Sequence, residues 1–257
     1  MKIDATQMAN HTPGQFITTR WSVVLSCSDS KVESVAARDA LSELCKTYWR
    51  PIFAYICRRG YSPEDAEDLT QDFFTNLLEG PLLQRADPER GRFRSLLLKA
   101  LQDFLGHAAE KLHARKRGGD VRFVSWDDWI AEAPSQLSIS PQALNSWSPE
   151  RLYDLRWAAT VVEQALRRLR EECQSKKRLR LFETLSLYLA TDRADVSYQN
   201  LATMLGIAES AVKKQLHNLR RRYRWLLWDE VAQTVQNPND VEGEIRHLCA
   251  TLAAGMQ

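Results

Sequence analysis

The chain has 257 residues, of which 26% are charged, and a formal net charge of +2. That length accommodates two small domains or one large one, and the near balance of charge excludes a protein that binds polyanions over its whole surface; a nucleic-acid site has to come from local asymmetry. The five cysteines (Cys27, Cys45, Cys57, Cys173 and Cys249) are odd in number and scattered, with no CxxC and no His pair at metal spacing, so neither a disulfide framework nor a metal site is expected.

Met1–Gln15 is polar and reads as a loose tail rather than a signal peptide. No apolar run is long enough to cross a bilayer, so no membrane insertion is expected, and reduced cysteines suit the cytoplasm. A first short helix is expected over 16–25 (FITTRWSVVL). Ser34–Arg59 carries a long helical pattern through Val35, Leu41, Leu44, Tyr48, Ile52, Phe53 and Ile56, which Pro51 should bend or split. Cys45 and Cys57 fall among these apolar positions as small core residues.

After the break at Gly60–Tyr61, Ser62-Pro63-Glu64-Asp65 opens a new helix with serine as cap, proline at the first position and acids in the first turn. Its apolar stripe is Ala66, Leu69, Phe73 and Leu77, widened by Phe74 and Leu78. The helix dipole accounts for acids at Glu64 and Asp65, but not for Asp68 and Asp72 a turn or more further in. Loops follow at Gly80-Pro81 and at 87–91, then a helix over Phe93–Arg117 that ends in a basic stretch. Cations are favourable near any helix C-terminus, so that patch alone does not indicate DNA.

Residues 121–149 are rich in Trp, Pro and Ser and read as a linker, with a small helix or anchor over Val124–Ala131. Ser148-Pro149-Glu150 starts another helix by the same logic as Ser62-Pro63-Glu64, running to about Cys173 with Leu155, Ala158, Val161, Val162, Ala165, Leu166 and Leu169 inside. Leu179–Leu189 is a further helix. Glu242–Ala253 forms a last one through Ile245, Leu248, Cys249 and Leu252.

Between these, Ser197–Leu227 carries the strongest pattern. Tyr198, Leu201 and Leu205 share one face of a short helix, and Gly206 follows where a left-handed cap is easiest for glycine. Ile207 is expected to plug the turn. A second helix begins near Glu209–Ser210, with Ser210 a favoured N-cap and a stripe of Val212, Leu216, Leu219, Tyr223 and Leu226. Its other face holds Lys213, Lys214, His217, Arg220, Arg221, Arg222 and Arg224, with no acid between 210 and 226. A helix-turn-helix puts the first residues of its second helix at base edges and surrounding cations at phosphates. Ser210, Ala211 and Lys214 are the base-facing candidates; Lys213, His217 and Arg221 are the backbone-facing ones. A solvated amphipathic helix explains the stripe but not the short helix, the Gly-Ile turn and the one-sided charge together.

No Gly-rich phosphate loop or nucleophile–base pair occurs, and His107 and His113, six apart, fall on different helix faces, so no catalytic residue and no cofactor is expected. The fold class expected is all-α, with two small helical modules joined by a flexible linker and the helix-turn-helix in the second.

Over roughly Thr18–Leu252 the chain resembles the extracytoplasmic-function (ECF) sigma factors of bacterial RNA polymerase, in a subgroup with a short C-terminal extension. The resemblance rests on RWSVVL, on YWRPIFAYICRRGYSPEDAEDLTQDFFTNLL, on FRSLLLKALQDFL with its basic tail, and on SPERLYDLRWA continuing to LGIAESAVKKQLHNLRRRYR. It implies a disordered tail over 1–15, a module over 16–120 that grips polymerase and reads and melts the downstream (minus-ten) element, a linker over 121–149, a module over 150–232 that reads the upstream (minus-thirty-five) element, and an extension over 233–257. By this resemblance Asp65, Asp68, Gln71, Asp72 and Phe74 dock on the clamp helices of the largest subunit of core RNA polymerase. Arg94, Lys99, Lys111, Arg115 and Arg117 meet the downstream strand, and Ser210, Ala211, Lys213, Lys214, His217, Arg220 and Arg221 meet the upstream promoter DNA. Where relatives often carry an Arg-Asn pair and a later Asp in the third helix, this chain has Gln102, Asp103 and His107. The resemblance places the protein in the bacterial cytoplasm at the nucleoid, and it allows an anti-sigma factor as a further partner. The rival reading is a helix-turn-helix regulator that acts without being a polymerase subunit.

Overall fold

The computed structural model describes residues 35–79, 93–115, 147–235 and 238–255. Every regular element among them is helical: α1 (Val35–Arg58), α2 (Pro63–Glu79), α3 (Phe93–Arg115), α4 (Pro149–Ser175), α5 (Leu179–Leu185), α6 (Tyr198–Leu205), α7 (Glu209–Ala232) and α8 (Val241–Gly255), with 3-10 turns at Ser186–Tyr188, Arg193–Asp195 and Pro238–Asp240. The segments 16–25 and 124–131 and the basic stretch beyond Arg115 lie outside the described residues.

Two helices begin as their sequences dictate. The Ser62 hydroxyl accepts from the Asp65 amide at 3.1 Å and donates to its carboxylate at 2.8 Å. The Ser148 hydroxyl accepts from the Arg151 amide at 3.2 Å, with Pro149 at the first helical position. Each such cap satisfies an otherwise orphaned donor and is worth about 1 kcal/mol.

Other boundaries differ from expectation. α1 is continuous through Pro51 instead of splitting there; the proline withdraws one donor from the ladder, but it is itself buried among packed neighbours that hold the helix together. α7 starts from Ala208, in extended backbone with no side-chain cap, so Ser210 lies inside the first turn and does not cap it. α5 stops at Leu185. Beyond it the carbonyls of Tyr188 and Thr191 accept from the Arg220 guanidinium at 2.8 and 2.5 Å, which carries the chain out of the helical path.

The buried side chains form two clusters. One joins Tyr48, Ile52 and Ile56 of α1, Phe73 and Leu77 of α2 and Phe93, Leu97 and Leu101 of α3 to Tyr153, Trp157 and Val161 of α4 and Val241 and Leu248 of α8. The other joins Ala165 and Leu169 of α4 to Phe182, Leu185, Leu201, Val212, Leu216, Leu219 and Leu226. α4 therefore serves both cores, its first half packed against α1 and α8 and its second half against α5 and α7. This explains why Leu152, Tyr153, Trp157 and Ala159 are buried in addition to the expected stripe. A helix with neighbours on several sides buries more than one face. Burial of each large apolar side chain contributes roughly 1.5–3 kcal/mol. Cys45 and Cys57 sit in the same packing, where burial pushes their thiols up to about 11 and about 12, so they behave as core residues and not as nucleophiles.

Candidate nucleic-acid interface and acidic helix face

α6 and α7 are joined by the three residues 206–208. Gly206 adopts φ 67° and ψ 33°, the left-handed region that glycine enters without steric cost. The Ile207 amide then donates back to the Ala202 carbonyl at 3.2 Å, which closes the end of α6 and turns the chain into α7. Ile207 does not plug the turn: it is 38% exposed, and neighbouring Met204 is 61% exposed. The two helices are held together by Leu201, Val212, Leu216 and Leu219, all buried.

With that stripe turned inward, the outer side of α7 is set by geometry. Ser210, Lys214, His217 and Arg221 follow at spacings of four, three and four, so they share a face, and all four are exposed. Lys213 is exposed but pairs with Glu209 at 2.7 Å and lies over the Tyr198 ring at 5.2 Å. These contacts raise its ammonium above the ordinary lysine value, the hydrogen bond to Glu209 foremost. Ala211 is half-buried. Arg220 does not stand on this face, since its guanidinium is spent on the Tyr188 and Thr191 carbonyls. Arg222 is taken by Glu172. Of the basic run, then, Lys214, His217, Arg221 and Arg224 remain outward.

α2 presents the opposite charge. Asp65, Asp68, Gln71 and Asp72 are all exposed, with Glu64 and Glu67 beside them. Phe74 does not lie on that surface. It is 7% exposed and stacks on Trp49, ring centroids 5.8 Å apart and planes 5° from parallel, so it supports the acidic face from behind.

On α3 the five expected strand contacts have different placements. Lys99 is exposed and pairs with Asp103 at 2.8 Å. Arg94 faces inward, its side chain 8% exposed between Asp154 of α4 and Glu244 of α8. Burial alone lowers its guanidinium's affinity for a proton, but the two carboxylates outweigh it and raise the group above its ordinary value. Lys111 and Arg115 lie in the last turns of the helix, and Arg117 is outside the described residues.

Periodicity left several important residues unmarked. Trp157 is fully buried and carries the Arg94 guanidinium 5.1 Å from its ring centroid. Arg168 binds Asp229 at 2.7 Å and Glu230 at 2.6 Å, tying α4 to α7. No local signal identifies these, because their partners lie tens of residues away. Among the described residues no group of His, Cys, Asp and Glu could hold a metal ion, and no helix is long and apolar enough to cross a membrane.

The class that fold and surfaces define is an all-helical protein with an acidic helix face in its first half and a basic helix face in its second. In sequence the chain is similar to RNA polymerase sigma factor YlaC of Bacillus subtilis, 26% identical over 183 residues that make up 71% of this chain and 89% of that one. No family model matches the chain, and no solved structure matches it.

Proposed function

We propose that the chain is a bacterial RNA polymerase sigma factor of the ECF type, which binds core polymerase and directs promoter recognition, DNA melting and transcription initiation in the cytoplasm. One observation carries this reading: a sigma factor is similar over 71% of this chain, in which an exposed acidic helix face precedes an exposed basic one, the order that the two tasks require. The exposed acids Asp65, Asp68 and Asp72 with Gln71 form the polymerase-docking face, and Phe74 shapes it from within. The pair α6–α7 acts as a helix-turn-helix on the upstream element, with Ser210 and Lys214 at base edges and His217 and Arg221 at phosphates. Lys99, Lys111, Arg115 and Arg117 serve the downstream strand. No catalytic role and no cofactor belong to this reading.

In functional terms 16–120 and 150–232 are the two reading modules and 121–149 is the linker. Neither module needs tight binding alone. Each phosphate neutralised contributes a salt slope of roughly −0.9, so the outward cations Lys214, Arg221 and Arg224 give weak, salt-sensitive affinity. Polymerase holds both modules at promoter spacing, which makes the second contact effectively intramolecular. Unstacking at the downstream element costs a few kcal/mol per step, offset by capture of the exposed strand.

The test is run-off transcription with reconstituted core polymerase on a genomic promoter library, with start sites mapped. Defined start sites that depend on the chain are the expected result. A chain that neither associates with core polymerase nor supports initiation, yet still binds duplex DNA specifically, is a helix-turn-helix regulator instead.

A further inference from the structure

A single buried hub connects three helices that are distant in sequence. Arg94 of α3 donates through Nε to Glu244 Oε1 of α8 at 3.0 Å and through Nη1 to Asp154 Oδ1 of α4. The Glu244 side chain is 1% exposed. α8 makes two more ties to the same stretch of α4: His247 Nε2 lies 3.3 Å from Asp154 Oδ2, and the Arg151 guanidinium donates to the Ala254 carbonyl at 3.0 Å. α4 in turn holds α3, since the Tyr153 hydroxyl donates to the Arg94 carbonyl at 3.2 Å.

A guanidinium fork recognises carboxylate and phosphate by the same planar pairing. Two carboxylates already occupy the fork of Arg94, and one of them comes from α8. A phosphate approaching this end of α3 meets acids of its own charge and finds the cation taken. α8 covers this end of α3 and α4 with one side only: Val241 and Leu248 are buried, whereas Glu242, Arg246 and Cys249 are exposed.

We propose that α8 is an autoinhibitory clasp, in which Glu244, with Asp154, occupies Arg94 in place of a nucleic-acid phosphate, so that strand binding at this end of α3 requires α8 to lift away. This rests on the reading of α3 as the strand-facing helix. The two fail separately: polymerase retention and run-off initiation by the wild type test that reading, whereas the change in strand affinity on Glu244→Gln tests the clasp.

The experiment is fluorescence anisotropy of a labelled single-stranded DNA oligonucleotide with the full chain at low salt. Glu244→Gln is expected to bind about fivefold tighter or better, the lower end of ordinary coupling between sites. Glu244→Gln combined with Arg94→Gln is expected to return to the wild-type affinity. A folded Glu244→Gln chain that binds no tighter overturns the proposal, as does a gain that persists without Arg94. A purely structural ion pair predicts loss of stability and no gain in binding. Where Glu244→Gln fails to fold, hydrogen exchange on the wild type decides. Saturating oligonucleotide is expected to strip protection from the Val241–Gly255 amides, and unchanged protection overturns the clasp.

Discussion

Glu172 and Arg222 meet in a two-pronged ion pair, Nε to Oε2 at 2.8 Å and Nη2 to Oε1 at 2.5 Å. The pair pins the middle of α7 to the end of α4, and the same guanidinium lies over the Trp225 ring at 4.1 Å from its centroid. One of the cations in the basic run therefore belongs to the scaffold, and the outward basic face is narrower than the run of charges.

That pair sets an acid-side prediction. Hydrogen bonding from Arg222, the largest influence, holds the Glu172 carboxyl below its ordinary value of 4.5. A carboxyl depressed in the folded state contributes stability that is present above its unfolded value and is lost as pH falls through the folded one. Thermal melting followed by circular dichroism should show the wild type losing stability below 4.5 more steeply than Glu172→Gln, which is less stable at neutral pH. Glu163 has the opposite sign: burial raises its carboxyl despite Arg50 at 2.8 Å, so its protonation partly offsets the loss in both proteins.

Asp68→Arg together with Asp72→Arg should abolish retention of core polymerase in a pull-down while changing stability by no more than about 0.5 kcal/mol per site, as exposed substitutions do. Retention of polymerase by this folded variant rules out the docking face.

Phe74→Ala should behave differently. Loss of a buried aromatic costs roughly 3–5 kcal/mol, and the stack on Trp49 goes with it. Denaturant unfolding should show the loss directly, and polymerase binding should fall only in proportion to the unfolded fraction and to distortion of α2.

On α7, Lys214→Ala should weaken promoter binding and relax preference at particular bases, whereas Arg221→Ala should weaken it uniformly and reduce the salt slope by about 0.9. Binding to a panel of promoter variants at several salt concentrations separates the two. Equal loss of discrimination from both substitutions removes the division between base and phosphate contacts.

Gly206→Ala should destabilise the fold by about 1–2 kcal/mol, because the left-handed conformation at φ 67° is costly for any residue with a Cβ. An added Cβ meets no atom within 4 Å, so the cost is one of backbone conformation and not of collision. Equal melting temperatures for the two proteins contradict this.

Much of the fold was legible locally. Ser62-Pro63 and Ser148-Pro149 announced two helix starts because a cap, a proline and a first-turn acid all act within four residues. Gly206 announced the turn for the same reason, and the spacing of Val212, Leu216 and Leu219 assigned the inner side of α7 and, by exclusion, the outward position of Lys214 and Arg221. The acidic side of α2 was equally readable, since Ala66, Phe73 and Leu77 turned Asp68 and Asp72 to solvent.

What the sequence by itself determined was the helices, their apolar sides and the sign of charge opposite each. Only the tertiary structure decided which charges are free. Arg94, Arg220 and Arg222 are cations on helical patterns like Lys214 and Arg221, yet Asp154 and Glu244, two backbone carbonyls, and Glu172 have claimed them. The reason is physical: a helix's inward side follows from a repeat of three to four residues, whereas these three arginines are claimed by partners 29 to 150 residues away, and their approach depends on how whole helices pack.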